Sequence, residues 1–317
     1  MTAALFELEG KRIYVAGHNG MAGSAIVRRL GLETCKILTV ERRELDLTQQ
    51  EATERWFAAV RPEVVVVAAG RVGGIMANNK FPVEFLADNL AIGLNLIRTS
   101  YMVRVKKLLF LGSSCVYPKY AKQPITEDQL LTGKLEPTNE SYAIAKIAGI
   151  KLCEAYFRQH GCDFISVMPT NLYGPGDNYH PENSHVVAAL IRRFHEAKVA
   201  GAPTATVWGT GTPRREFLYV DDFADACVYL LKTYSGAQLI NVGVGKDISI
   251  EEFADIVADV VGYRGKIMFD PSKPDGTPRK LLDISRLSSF GWTAEVPLRE
   301  GLKKAYADFL ESTVRER

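Results

Sequence analysis

Short runs rich in β-branched and other apolar residues alternate with amphipathic stretches through the first half of the chain. The period-2 and buried-type runs predict strands at residues 12–16, 36–40, 64–68 and 164–168 and at Lys107–Leu111. Helix-period segments lie between them at 20–30, 49–60 and Pro82–Met102, and another carries Tyr142 and runs to Phe157 with Asn139 as its N-cap. Strand–helix alternation of this kind implies a parallel sheet covered on both faces, a doubly wound α/β fold. Beyond residue 168 the pattern becomes irregular. A Gly/Pro/Asn-rich loop over 171–183 leads to a helix at 184–198, strands at 205–208 and 216–220, and a helix starting near Asp221. A strand at 239–242 and helices near 249–261 and at Leu298–Glu311 complete the chain.

Composition narrows the function classes. With 317 residues, 47% hydrophobic and 24% charged, the chain is long enough for one large domain or a domain plus a lobe. A net charge of +2 without Lys/Arg runs gives no electrostatic case for nucleic acid. No 18-residue apolar run occurs, and the N-terminus lacks a basic segment followed by a long apolar one, so no membrane association is expected and cytoplasmic residence is the default. The five cysteines, Cys35, Cys115, Cys153, Cys162 and Cys227, have no metal-ligand spacing, so no metal site is expected. All but Cys115 read as buried strand or helix cysteines of a reducing compartment.

Three motifs carry chemistry. Gly17, His18, Asn19, Gly20, Met21, Ala22 and Gly23 follow the first strand and open the first helix, where glycines permit a tight turn and close approach to a pyrophosphate. This makes the sheet a Rossmann-type, dinucleotide-binding one. The second strand ends in Glu41-Arg42-Arg43, a mixed signal in which Arg42 favours the extra phosphate of NADP, and Asp46 and Leu47 could frame the adenine. Gly112-Ser113-Ser114-Cys115 follows the fourth strand, where a hydroxyl can polarise a carbonyl. Tyr142 and Lys146 stand four apart on one helix face, so the ammonium is expected to pull the phenol down toward neutrality and make it a proton carrier. Read alone, each motif also fits a solvated helix face or a polar loop.

In this order, the glycine turn, the serine and Tyr-x-x-x-Lys resemble the extended short-chain dehydrogenase/reductase superfamily of nucleotide-sugar enzymes. Longer strings at 16–26, 72–79, 109–119, 136–149, 168–175 and 272–280 narrow the resemblance to the GDP-4-keto-6-deoxy-D-mannose 3,5-epimerase/4-reductases, which form GDP-L-fucose. The likeness runs from the first strand to about residue 292. It implies NADP(H) held by the glycine turn, Arg42, Asp46, Leu47, Leu111, Gly112, Ser113, Ser114, Lys146, Pro169, Thr170, Asn171, Leu172 and His185. It implies that Asn171, Arg193, Trp208, Arg215 and Asp275 bind the GDP-linked keto-deoxyhexose. Ser113, Tyr142 and Lys146 would serve reduction, with Cys115 as the base and His185 as the acid for epimerisation, and two copies would pair through a four-helix bundle. The family often has an arginine where Asn19 stands, which leaves Arg42 more of the phosphate.

The residues themselves leave Cys115 open as a structural cysteine and His185 as a capping or surface histidine, near a helix N-terminus that disfavours the imidazolium. The implied division is a cofactor domain at 1–170 plus about 213–245 and a smaller α+β substrate lobe at about 171–212 plus 246–317. A dehydratase of this superfamily would carry Thr-Asp-Glu where Ser113-Ser114-Cys115 stands, and a simple 4-epimerase would need neither Cys115 nor His185. Related GDP-keto sugars on the way to colitose or a heptose remain open, as does a catalytically silent cofactor-binding module.

Overall fold

The computed structural model describes residues 4–181 and 183–311; residues 1–3 and 312–317, at the outer ends of the two expected domain assignments, lie outside the described residues. Strand β1 (Arg12–Ala16) feeds helix α1 (Met21–Leu30), followed by β2 (Lys36–Leu38), α2 (Gln50–Val60) and β3 (Val64–Val67). Next come α3 (Ile75–Lys80), α4 (Pro82–Met102), β4 (Lys107–Leu111), α5 (Glu140–His160) and β5 (Asp163–Pro169). The expected strand at 36–40 stops at Leu38, and α3 forms where a glycine-rich stretch gave no helical signal.

The second half contains β6 (Asn171–Tyr173), α6 (Val186–Val199), β7 (Thr204–Trp208), β8 (Arg214–Arg215), β9 (Phe217–Tyr219), α7 (Val220–Thr233) and β10 (Ile240–Val242). It ends with β11 (Ile248–Ser249), α8 (Ile250–Val261), β12 (Lys266–Asp270), β13 (Arg279–Lys280), α9 (Ser285–Ser289) and α10 (Leu298–Glu311). The loop expected over 171–183 therefore begins as a strand, because β6 pairs in parallel with β9, Asn171 opposite Phe217. The strand expected at 216–220 is the shorter β9, because α7 already begins at Val220, and the two-residue β8 before it belongs to a different small sheet.

The main sheet has the order β10-β5-β4-β3-β1-β2, with every pairing parallel. Alternate strand residues bury both faces: Val64 and Val66 pack with α1 and α7, while Val65 and Val67 pack with α2, α4 and α5. Chain order reverses between β1 and β3, and the crevice at the carboxyl ends of these strands is where such folds take ligands. A separate apolar cluster, including Phe194, Val207, Phe253, Val257 and Leu302, joins α6, β7, α8 and α10 above that edge. Helix α8 starts with a capping box in which Ser249 and Glu252 bond reciprocally.

Asn139 is the N-cap residue of α5, as expected, but its side chain makes no capping bond. Pro137 begins a 3₁₀ turn in which Glu136 accepts from Thr138 N at 3.3 Å, and the Asn139 side-chain oxygen Oδ1 is left buried without a partner. Of the cysteines expected to be buried, Cys153 and Cys227 are; Cys35 and Cys162 are only half-buried, because each falls in a turn next to an element rather than inside one.

Candidate active site

The glycine turn fits a dinucleotide. Gly17 has a φ of +83°, and a Cβ there would lie 2.7 Å from the Ala69 backbone. Gly23, inside α1, would drive a Cβ to within 2.1 Å of the Gly17 carbonyl oxygen. Gly20 is different: only that same oxygen, at 3.5 Å, is near its missing Cβ. As the N-cap of α1 it brings no side chain to the first-turn amides, so these remain available to an anion beside half-buried Met21 and Ala22. Asn19 Nδ2 donates to both Glu41 oxygens at 3.2 and 3.0 Å, and His18 Nε2 lies 3.3 Å from the same carboxylate. Glu41 is thereby drawn to the turn while Arg42 stays exposed. Asp46 accepts from the Thr48 amide and hydroxyl, and the Leu47 carbonyl accepts from Asn95.

The end of β4 brings the second group. Gly112 packs so tightly that a Cβ would lie 2.4 Å from the Met168 sulfur. Ser113 caps a 3₁₀ turn over Ser114–Val116 by accepting from Cys115 N at 3.3 Å, which turns the hydroxyl and the thiol to the same side. Ser114 is buried behind them. At the end of β5, the Thr170 hydroxyl and Asn171 Nδ2 donate to the Glu216 carbonyl at 3.1 and 2.8 Å, which fixes the Pro169–Leu172 segment against the lobe.

Tyr142 and Lys146 do share one face of α5, but the expected tuning is absent. Burial raises the Tyr142 phenol well above its ordinary value, the adjacent Cys115 adds to the rise, and hydrogen-bonded Ser113 only partly opposes it. Lys146 Nζ instead donates to the Leu111 carbonyl at 2.8 Å and lies over the Phe110 and Tyr142 rings at 5.0 and 5.8 Å from their centres. Its own pKa is pulled down to about 8 by burial. Desolvation outweighs the neighbouring cation here.

A cavity of about 320 Å³ collects Ser113, Cys115, Tyr142, Asn171 and His185 together with Arg193, Trp208, Arg215 and Asp275, and Arg215 is close enough to Cys115 to feel its charge. Arg193 donates to the Thr206 carbonyl at 2.7 Å and holds its guanidinium 5.3 Å from the Trp208 ring centre. Arg215 Nη2 donates to the Asp275 carbonyl at 3.1 Å, while the Asp275 carboxylate takes the Thr210 amide and hydroxyl, both at 2.8 Å. His185 is the N-cap of α6 and faces the cavity, accessible to solvent yet walled closely enough that desolvation disfavours its imidazolium, with the Lys280 charge adding to the effect. The expected direction holds, but the cause is burial and Lys280. The glycine turn, Arg42, Asp46 and Leu47 stand apart from this cavity, around β1 and β2.

Two residues escaped the sequence reading. Lys280, on β13, reaches the Cys115 sulfur at 3.6 Å across 165 residues. Glu216, fully buried, accepts the amides of Val244, Gly245 and Leu282 at 2.6, 2.7 and 3.0 Å. Lys280 lies inside the family-like string at 272–280, and Glu216 in a charged Arg214-Arg215-Glu216 run, so neither stood out.

A doubly wound sheet with a glycine turn at its switch point, and serine, tyrosine and lysine meeting at the carboxyl edge, defines an extended short-chain dehydrogenase/reductase. The family model described as NAD dependent epimerase/dehydratase family matches residues 13–243; the chain belongs to that family and, within it, to the GDP-L-fucose synthases. It is 58% identical over 302 residues to GDP-L-fucose synthase 1 of Arabidopsis thaliana, covering 95% of this chain and 94% of that one. It is 53% identical over 317 residues to GDP-L-fucose synthase of Escherichia coli strain K12, covering 97% and 99%. The solved structure of a GDP-L-fucose synthetase from Naegleria fowleri bound to NADP superposes with a TM-score of 0.87 at 30% identity, covering 98% of this chain and 96% of the other.

Proposed function

We propose that this protein converts GDP-4-keto-6-deoxy-D-mannose to GDP-L-fucose by inverting C3 and C5 and then reducing the C4 ketone. The observation that carries this reading is the meeting of Ser113, Cys115, Tyr142 and His185 in one cavity that also holds Arg193, Trp208 and Arg215. A reductase alone would need only the hydroxyls; a thiol and an imidazole in the same cavity provide a base and an acid for inversion. C3 and C5 both flank C4, so removing either proton sends charge to the same oxygen, and Ser113 and Tyr142 hold that oxygen in each case. With its pKa raised, the Tyr142 phenol stays protonated at neutral pH and acts as a donor. Cys115 takes the proton at each inverted carbon and His185 returns one from the opposite face.

NADP(H) would be held at the glycine turn, with Arg42 at its extra phosphate and Lys146 at the nicotinamide ribose, and it supplies the hydride for C4. After hydride addition, Tyr142 protonates the C4 oxygen. In the same cavity, Arg193 and Arg215 match a diphosphate and Trp208 offers a face to guanine or ribose. Leu111, Gly112, Ser114 and the Pro169–Leu172 segment, at the ends of β4 and β5, would hold the cofactor between the glycine turn and the cavity. The separate apolar cluster beside the sheet supports a division into a cofactor domain and a substrate lobe, with Leu287 and Trp292 packing on the sheet's side. An exposed apolar stripe on α4 (Val83, Leu90, Leu94, Tyr101) beside Ile144 of α5 supports a homodimer through these helices. Cytoplasmic residence agrees with a nucleotide-linked substrate, and among the described residues no helix is long and apolar enough to cross a membrane.

Purified protein with the synthetic keto sugar and NADPH tests the reading. GDP-L-fucose by NMR, with one NADPH oxidised per product, is expected; a reduced but uninverted sugar, or no turnover, overturns it.

A further inference from the structure

Two inversions at one site raise a problem of proton bookkeeping. After the first, Cys115 carries the proton taken from carbon and His185 has given one up, so both are in the wrong state for the second. The two must address opposite faces of the sugar and so cannot exchange a proton directly while it is bound. Lys280 borders the same cavity as both. Its ammonium lies 3.6 Å from the Cys115 sulfur, and among the described residues it has no ion-pair partner. Its charge is also close enough to His185 to disfavour the imidazolium. The other charged groups nearby are Arg215, which interacts with Cys115, and Glu136, which borders a small recess shared with Cys115 and Lys280. Glu136 turns to Lys119, 3.6 Å away, and to the Thr138 amide.

We propose that Lys280 is the positioning residue that returns the proton from Cys115 to His185 between the two inversions, an assignment that rests on the epimerase/reductase reading above. The Lys280 ammonium gives a proton to the neutral imidazole; the resulting amine then takes the proton from the Cys115 thiol. The sum is thiol plus imidazole going to thiolate plus imidazolium, with lysine restored. The ammonium also stands beside the thiolate as its counter-charge, so the first inversion gains from the cation and the second needs its transferable proton.

These two roles separate by substitution. Lys280→Arg keeps a cation but not a transferable proton, since a guanidinium stays protonated at any working pH. With the keto sugar and NADPH, this variant should yield at least about tenfold more singly inverted, reduced sugar relative to doubly inverted product, with NADPH oxidation continuing. Lys280→Ala should lose both inversions, and added methylamine should restore the doubly inverted product. NADPH binding by fluorescence identifies a misfolded variant, and wild-type turnover run in parallel tests the underlying reading separately. A wild-type product ratio in Lys280→Arg, or methylamine without effect on a folded Lys280→Ala, overturns the relay.

Discussion

The Lys146 ammonium donates to the Leu111 carbonyl at 2.8 Å, deep enough that its pKa falls to about 8. Below that value the lysine is charged in both folded and unfolded chains, and the fold bears the full cost of burying the charge. As pH rises from about 8 toward the free lysine value, the folded lysine loses its proton first, the unfolded chain binds more protons, and stability increases with pH. Without cofactor, wild type should therefore gain about 1–2 kcal/mol over Lys146→Met between pH 7 and 9.5, read by denaturant melts. The same substitution should slow NADPH-dependent reduction about 10²–10⁴-fold. A pH-independent stability difference would show that Lys146 is not strained by burial.

Cys115 and Ser113 face one cavity but have separable tasks. Cys115→Ser should abolish deuterium wash-in at C3 and C5 while the unepimerised ketone is still reduced slowly, followed by NMR in D2O. Full wash-in would remove the thiol from its role.

The glycines of the first turn divide in the same way. Gly20→Ala meets only the Gly17 oxygen at 3.5 Å, so the protein should melt near the wild-type temperature. Its new methyl sits where a pyrophosphate would lie, and NADPH affinity should drop at least about tenfold by titration. Gly23→Ala, with a Cβ 2.1 Å from the Gly17 oxygen, should instead lower stability, by about 1–3 kcal/mol.

Leu94 is half-exposed on the apolar stripe of α4. Leu94→Glu should convert a dimer to a monomer in light scattering, with little change in the monomer's fold. A wild-type protein that is already monomeric would remove the four-helix interface.

The cofactor half of the fold was legible because its elements are long, periodic and consecutive in sequence. Strands β1 and β4 and helix α4 were read to the residue. The substrate lobe was less so: β8, β11 and β13 are two residues each and exist only through pairing with one another. Strand β12 pairs with β7, some sixty residues earlier in the chain, as Lys266 with Thr204 shows. The site residues all have places in the structure, because short motifs mark them, but their electrostatics were misjudged. A Tyr–Lys spacing reports a shared face; it does not report that burial dominates the phenol or that a backbone carbonyl takes the ammonium. Lys280 was invisible for a simpler reason: its partner is on another element, brought close only by folding.

Glu216 joins parts that the cavity must keep in register. Its carboxylate holds the loop after β10 and the chain just beyond β13, and its own carbonyl holds Thr170 and Asn171. The reacting end of the cleft is thus pinned at a single knot. Around Trp208, flanked by Arg193 and Lys273, there is no comparable carboxylate tie among the described residues. Any displacement of Glu216 therefore moves the segments after β5, β10 and β13 together.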